Sequence, residues 1–270
     1  MAAFDSDAIR SALNERVAGR LQRIDAFEQI DSTNTFLIGE AAPEPGRCKV
    51  AITDHQTAGR GRRDNRWHSE PGRSLCLSMA YRFDATPASL PTLTLAQGVG
   101  IVRSLVELGA SELRLKWPND IVLSKAKLGG ILTETQFRDQ NSVTVVTGVG
   151  INLAPVAVDL SEGGWSGAIA SLDAATTGGP DRFRVAVAVI EAMADTFVEF
   201  EREGFASFRD EFKRYDGLEG SHVEMDVEDG ELTGQVLGID DDGALLVDTG
   251  ERTISVISGS IRRILEPATL

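Results

Sequence analysis

Two short stretches of the chain combine residue types that bind and activate anions. In Gly59-Arg60-Gly61-Arg62-Arg63 glycine alternates with arginine, so the backbone can approach a ligand closely while guanidinium forks take carboxylate or phosphate oxygens in pairs. The alternative, a solvated basic loop, loses weight because Trp67 follows and offers an aromatic face for a flat ring. In Lys116-Trp117-Pro118-Asn119-Asp120 a cation, an aromatic ring, a rigid proline, an amide and a carboxylate are compressed between two apparent strands. Polar groups set at a strand end by a proline turn are well placed to hold a ligand; the bland alternative is a turn in which Asp120 bonds its own backbone.

The charge layout points the same way. The chain has 270 residues, a net charge of −14 and 42% hydrophobic residues, the balance of a soluble globular protein and not of a nucleic-acid coat or a bare membrane binder. Residues 218–270 hold 12 acids and 3 arginines, whereas residues 59–73 hold five arginines (60, 62, 63, 66 and 73) and two acids. Of only five lysines, three (Lys116, Lys125 and Lys127) fall within twelve residues. Cations this scarce and this concentrated imply a cationic site inside an acidic shell.

The elements that must position these residues are read from periodicity. Ile9, Leu13, Val17, Leu21 and Ile24 predict one amphipathic helix over 7–24, started by Ser6 or Asp7. Asp31-Ser32-Thr33-Asn34 offers N-cap side chains to a second helix whose first N–H groups point outward. Strands are predicted at 49–54 and 74–83 on either side of the arginine loop, a helix over 90–108, and strands at 113–117, 120–123, 128–135 and 142–148. The last of these leads into a Gly148-Val149-Gly150-Ile151-Asn152 corner and an irregular, Gly- and Ala-rich connection over 154–180. A long helix is predicted over 181–215. After Leu218 the pattern turns from helical to alternating, with Asp-Gly turns, which predicts four or five short strands in a small β-barrel. The division expected is therefore 1–217 and 218–270, and the fold class α/β (α+β) with a mixed sheet.

Taken in order, Asp31-Ser32-Thr33-Asn34, QTAGRGRR at 56–63 with Trp67, KWPNDI at 116–121, KLGGIL at 127–132 and GVGIN at 148–152 resemble the biotin protein ligases, the biotin–acetyl-CoA-carboxylase ligases. The five motifs span about 120 residues, and in this order they are very specific. The resemblance implies a mixed-sheet catalytic domain of the biotin/lipoate ligase type, followed by a small SH3-like barrel. It implies a two-step reaction in which biotin's carboxylate attacks the α-phosphate of ATP with Mg²⁺, and a lysine of a biotin carboxyl carrier protein domain, of acetyl-CoA carboxylase or a related carboxylase, then displaces AMP. By resemblance, Ser32, Thr33, Asn34 and Gln56 line the biotin site, and Gly59, Arg60, Gly61 and Arg62 hold biotin toward its carboxylate and phosphate end. Lys127 bridges carboxylate and phosphate as the principal catalytic cation, with Arg62 and Asp120 in the catalytic set. Arg63, Trp67, Asn119 and Asn152 partner the adenylate. Asp120 either orients the acceptor lysine or helps to place Mg²⁺, and Lys116 is either a second phosphate contact or structural. The family usually has glycine after GRGRR, where this chain has Asp64-Asn65, and the terminal Arg262 and Arg263 are left without a role.

Other classes fit less well. A lipoate or octanoate ligase shares the fold but is not expected to carry GRGRR together with KWPND. A biotin-responsive repressor needs a DNA-binding domain, and the 30 residues before Asp31 are about half of what a helix-turn-helix requires. Cys48 and Cys76 form no CxxC pair, and the three histidines have no metal-ligand spacing, so no protein-held metal is expected. Acids near the N-terminus and the polar character of residues 85–102, a long uncharged stretch, point to a cytoplasmic protein with no membrane partner. No nucleic-acid partner is expected, and the oligomeric state is left as monomer or homodimer.

Overall fold

The computed structural model describes residues 4–137, 142–156, 168–179 and 181–265. A seven-stranded mixed sheet has the order β1-β2-β3-β7-β6-β5-β4, from β1 (Leu21–Ala26), β2 (Cys48–Thr53), β3 (Ser74–Phe83), β4 (Leu113–Lys116), β5 (Asp120–Leu123), β6 (Ala126–Phe137) and β7 (Val143–Asn152). Only β1 and β2 run parallel; the other neighbours are antiparallel. One face is covered by α4 (Leu93–Glu107) and α5 (Arg182–Glu203). Leu75, Leu77, Met79 and Tyr81 of β3 are buried in the main core, and Tyr81 stacks on Phe197 of α5 at 4.9 Å. Each such aliphatic side chain contributes roughly 1.5–3 kcal/mol.

The opposite face is what makes a site. There α3 (Thr33–Gly39) covers one end, packing Leu37 on Ala51, Ala80 and Val146. Further along the same rows the residues become small: Ser78 pairs with Gly148, and Gly130 with Gly150. A floor results that is bare at Ser78, Gly148, Gly150 and Gly130, with Leu132 beside it.

The N-terminal segment departs from the single helix its spacing predicts. Leu13 is extended, and Asn14 caps a fresh helix by accepting from Val17 N–H, so the segment divides into α1 (Ser6–Ala12, capped by Asp5) and α2 (Glu15–Arg20). Leu21 and Ile24 then belong to β1; apolar spacing of three and four fits a broken helix and a strand as well as one helix. The GVGIN segment is not a corner: β7 runs through to Asn152, with both faces buried, which hides the alternation of a strand. The single helix predicted over 181–215 is divided: Asp181 caps α5, Gly204, at φ +66°, ends it, and the helical run resumes as α6 (Arg209–Tyr215).

The C-terminal strands β8 (His222–Val227), β9 (Gly230–Ile239), β10 (Leu245–Asp248), β11 (Thr253–Val256) and β12 (Gly259–Leu265) form an antiparallel sheet in the order β11-β10-β9-β8-β12. This is the small SH3-like unit, with its edge strands not hydrogen-bonded to each other. It is anchored to the first sheet by Gly217, whose N–H donates to Leu115, and by Trp117. Cys48 and Cys76 are buried free thiols, both pushed up to about 12 by burial. Among the described residues no helix is long and apolar enough to cross a membrane.

Candidate active site

At one end of the bare floor stands the start of α3. Ser32 caps it, its Oγ accepting from Thr35 N–H at 3.3 Å. Thr33 donates its backbone N–H to Gln56 Oε1 at 2.7 Å, and its hydroxyl meets Ser78 Oγ at 2.6 Å. Ser78 donates to Asn34 Oδ1 at 2.6 Å, and Asn34 Nδ2 donates to Glu134 Oε2 at 2.9 Å and to the Leu132 carbonyl at 3.3 Å. A Cβ at Gly148 would collide with Asn34 Oδ1, so glycine there lets this polar cluster sit directly on the sheet. This end is polar, and the groups of Thr33, Asn34, Gln56 and Ser78 are neutral.

The arginine loop forms a small hairpin over the floor. Trp67 N–H donates to the Gly59 carbonyl at 3.0 Å and Gly61 N–H to the Asn65 carbonyl at 2.7 Å. Arg63 and Asp64 turn it in left-handed conformations at φ 53° and 60°, a region that costs a non-glycine residue about 1 kcal/mol. The Trp67 indole lies on Gly150, where a Cβ would fall on the ring, and its Nε1 is buried without a hydrogen-bond partner among the described residues. Gly59 serves the packing of the two loop limbs, since its own Cβ would strike the Trp67 carbonyl. The Arg60 guanidinium reaches the neutral end: Nη2 donates to Glu134 Oε1 at 2.7 Å and Nη1 to Oε2 at 3.1 Å.

The other end is cationic. Asp120 Oδ1 receives Lys127 Nζ at 2.6 Å, and Asp120 Oδ2 lies 3.9 Å from Lys116 Nζ. Lys116 is 9% exposed, and burial lowers its pKa. Burial likewise lowers that of Arg62, helped by the neighbouring charge of Arg63. Lys127 is held by backbone on both sides, its N–H donating to Ala168 and its carbonyl accepting from Ala170. The lysine side chain folds back over Gly130, where a Cβ would be in ordinary contact with it at 3.4 Å from Cε and 3.6 Å from Nζ. The amides of Asn119 and Asn152 also border this end, but their NH₂ groups donate to the Ile131 and Ala170 carbonyls, at 2.9 and 3.1 Å.

Both ends open into one cavity of about 860 Å³. Every site residue expected from the sequence lines it except Gly59. Sequence reasoning missed Ser78, which belongs to no motif and is marked only by its parity with the glycines across the sheet. It also left out Glu134, and the cavity wall that β12 supplies through Ser260, Arg262 and Arg263. Arg262 is paired with Asp226 and Glu231.

Residues 26–152 match the Biotin/lipoate A/B protein ligase family, and residues 220–262 match the Biotin protein ligase C terminal domain. The chain is 34% identical over 247 residues to the bifunctional ligase/repressor BirA of Salmonella typhimurium, covering 91% of this chain and 73% of that protein. To the biotin–[acetyl-CoA-carboxylase] ligase of Mycobacterium tuberculosis it is 31% identical over 273 residues, 95% of this chain and 98% of that one. The chain belongs to the biotin protein ligase family. Among solved structures, the biotin protein ligase of Aquifex aeolicus, in complex with biotin and ATP, superposes with a TM-score of 0.72 at 26% identity, covering 90% of this chain and 99% of the other. The second family match, over residues 220–262, takes the likeness into the C-terminal sheet as far as the first half of β12.

Proposed function

We propose that this chain activates biotin with ATP as biotinyl-5′-AMP, releasing pyrophosphate, and then transfers biotin to a lysine of a biotin carboxyl carrier domain. The observation that carries the reading is the polarity of the cavity: a neutral end of Thr33, Asn34, Gln56 and Ser78, and a cationic end of Lys116, Lys127 and Arg62. Biotin has the same polarity, a neutral ureido ring at one end and a carboxylate at the other, and ATP adds phosphates to the anionic half.

In the first step a carboxylate oxygen attacks the α-phosphorus and pyrophosphate leaves. Both reactants are anionic, so the gain comes from fixed cations that mask their repulsion and stabilise the charge of the transition state. Lys127 fills that role, held against Asp120 on a backbone pinned at both sides. Arg62 stands over the phosphates from the loop, and Trp67 walls the ring-bearing path to the floor. Mg²⁺ fits as an ion carried in on the phosphates: no cluster of three metal-ligating side chains occurs among the described residues, and Asp120 supplies one carboxylate at the border. In the second step the carrier lysine attacks the acyl carbon and AMP departs, with Asp120 placed to orient the incoming amine.

Residues 1–217 carry the chemistry in this reading and residues 218–270 close the cavity. The partner is the carrier domain of a carboxylase, and the reaction takes place in the cytoplasm, in keeping with two free buried thiols. Incubation with biotin, MgATP and a carrier domain, read by streptavidin blot, tests the function. Biotin labelling of one lysine is expected; labelling by lipoate and not by biotin would overturn it.

A further inference from the structure

The Glu134 carboxylate is shared between two elements that the sequence keeps far apart. Asn34, at the start of α3, donates to Oε2 at 2.9 Å, and Arg60, in the arginine loop, donates to both oxygens at 3.1 and 2.7 Å. Glu134 itself stands on β6, on the same face as Gly130 and opposite Val146 of β7, one alternation beyond Leu132.

A carboxylate only accepts, and this orders every proton behind it. Asn34 must turn its NH₂ toward Glu134 and the Leu132 carbonyl, which leaves Oδ1 facing Ser78. Ser78 is fully buried and has one proton, which goes to Asn34 Oδ1 at 2.6 Å. In the 2.6 Å contact between Ser78 and Thr33, Thr33 is therefore the donor. Thr33 Oγ1 also lies 3.1 Å from Gln56 Oε1, but that oxygen already accepts from the Thr33 backbone N–H at 2.7 Å, so the hydroxyl proton goes to the shorter contact, with Ser78. The relay runs one way, from Thr33 through Ser78 and Asn34 to Glu134. It leaves Thr33 Oγ1 as an acceptor at the cavity wall.

We propose that Glu134 is a positioning residue for the neutral ring of biotin: it fixes the direction of this relay, so that Thr33 accepts from a ureido N–H, and it holds Arg60 at the ring end and away from the carboxylate end. The inference rests on the biotin reading above. Glu134→Gln keeps the shape but gives position 134 a donor, lets the Asn34 amide reverse, and removes the ion pair with Arg60.

The test is calorimetric titration of the full chain with biotin and with biotinol, in which a hydroxymethyl group replaces the carboxylate. Glu134→Gln is expected to weaken both compounds by the same factor, about tenfold or more for a charged hydrogen bond, with the KM for ATP unchanged. Lys127→Ala, at the other end, should weaken biotin more than biotinol. Wild-type affinity of Glu134→Gln for both, or a loss confined to biotin, would overturn the proposal. Should that variant fail to fold, Ser78→Ala cuts the same relay at its centre and carries the same two outcomes. A wild-type protein that binds neither compound would overturn the biotin reading instead.

Discussion

The indole N–H of Trp117 donates to the carbonyl oxygen of Gly243 at 3.0 Å, tying the KWPND turn of the first sheet to the Asp240–Gly243 turn of the C-terminal sheet. Trp117 is 2% exposed, and Lys116, Asn119 and Asp120 beside it line the cavity. Gly243 adopts φ +75°, and a Cβ there would press on Thr92 Cγ2 at 2.6 Å and Leu95 Cδ1 at 3.0 Å. The C-terminal sheet thus buttresses the turn that carries three of the site's polar groups. Gly243→Val is expected to destabilise the protein by about 1–3 kcal/mol through overpacking and backbone strain, and to raise the KM for ATP. Trp117→Phe, which keeps a ring and removes the donor, should cost about 1–2 kcal/mol. Denaturant titration and ATP-dependent pyrophosphate release check both.

Gly150 is the point at which the floor admits an aromatic ring. Any side chain there competes with Trp67 for the same space. Gly150→Val should expel the indole, change the tryptophan emission of the unliganded protein, and reduce adenylate formation more than about tenfold, the order of loss when a positioning contact is removed. Unchanged emission with unchanged activity would mean that Trp67 does not depend on this floor.

Lys127 and Asp120 make a 2.6 Å ion pair at the cationic end. Lys127→Ala is expected to slow adenylate formation by about a hundredfold, equivalent to about 3 kcal/mol of lost transition-state stabilisation, while the circular dichroism spectrum stays that of the wild type. Pyrophosphate release at the wild-type rate would remove Lys127 from the mechanism.

Lys116 shows that a charge kept for function opposes stability. Its pKa lies below the ordinary 10.5 because of burial, with Lys127 adding to the effect and Asp120 opposing it. The unfolded chain therefore binds this proton more tightly, and the wild type gains stability as pH rises from the lowered value to 10.5. Lys116→Met should be as stable as the wild type or more so at pH 7, lose that advantage as pH approaches 10.5, and form adenylate more slowly. Thermal melts across this range, beside a pyrophosphate assay, give both readouts.

Much of the site was legible along the chain because its ligands must meet backbone. Glycine-arginine alternation, a proline turn bearing an amide and a carboxylate, and paired glycines all leave local signatures, and α3 with its Ser32 cap was readable for the same reason. The division of residues 7–24 was not, since Leu13 breaks the helix without a glycine or proline and the spacing of three and four continues across the break into β1. The continuation of β7 through GVGIN was hidden because a strand buried on both faces loses its alternation.

The sequence by itself determined which residue types the site holds, how its cations are gathered, and that it works on anions. Only the tertiary structure decided how they divide: Arg60 with the neutral end through Glu134, Lys116 and Lys127 around Asp120, and Ser78 between Thr33 and Asn34. The reason is sheet register. Residues 34, 78, 134 and 148 meet because β3, β7 and β6 are paired in one register under the start of α3, and contacts between strands far apart in the chain leave no periodicity or motif in any one of them.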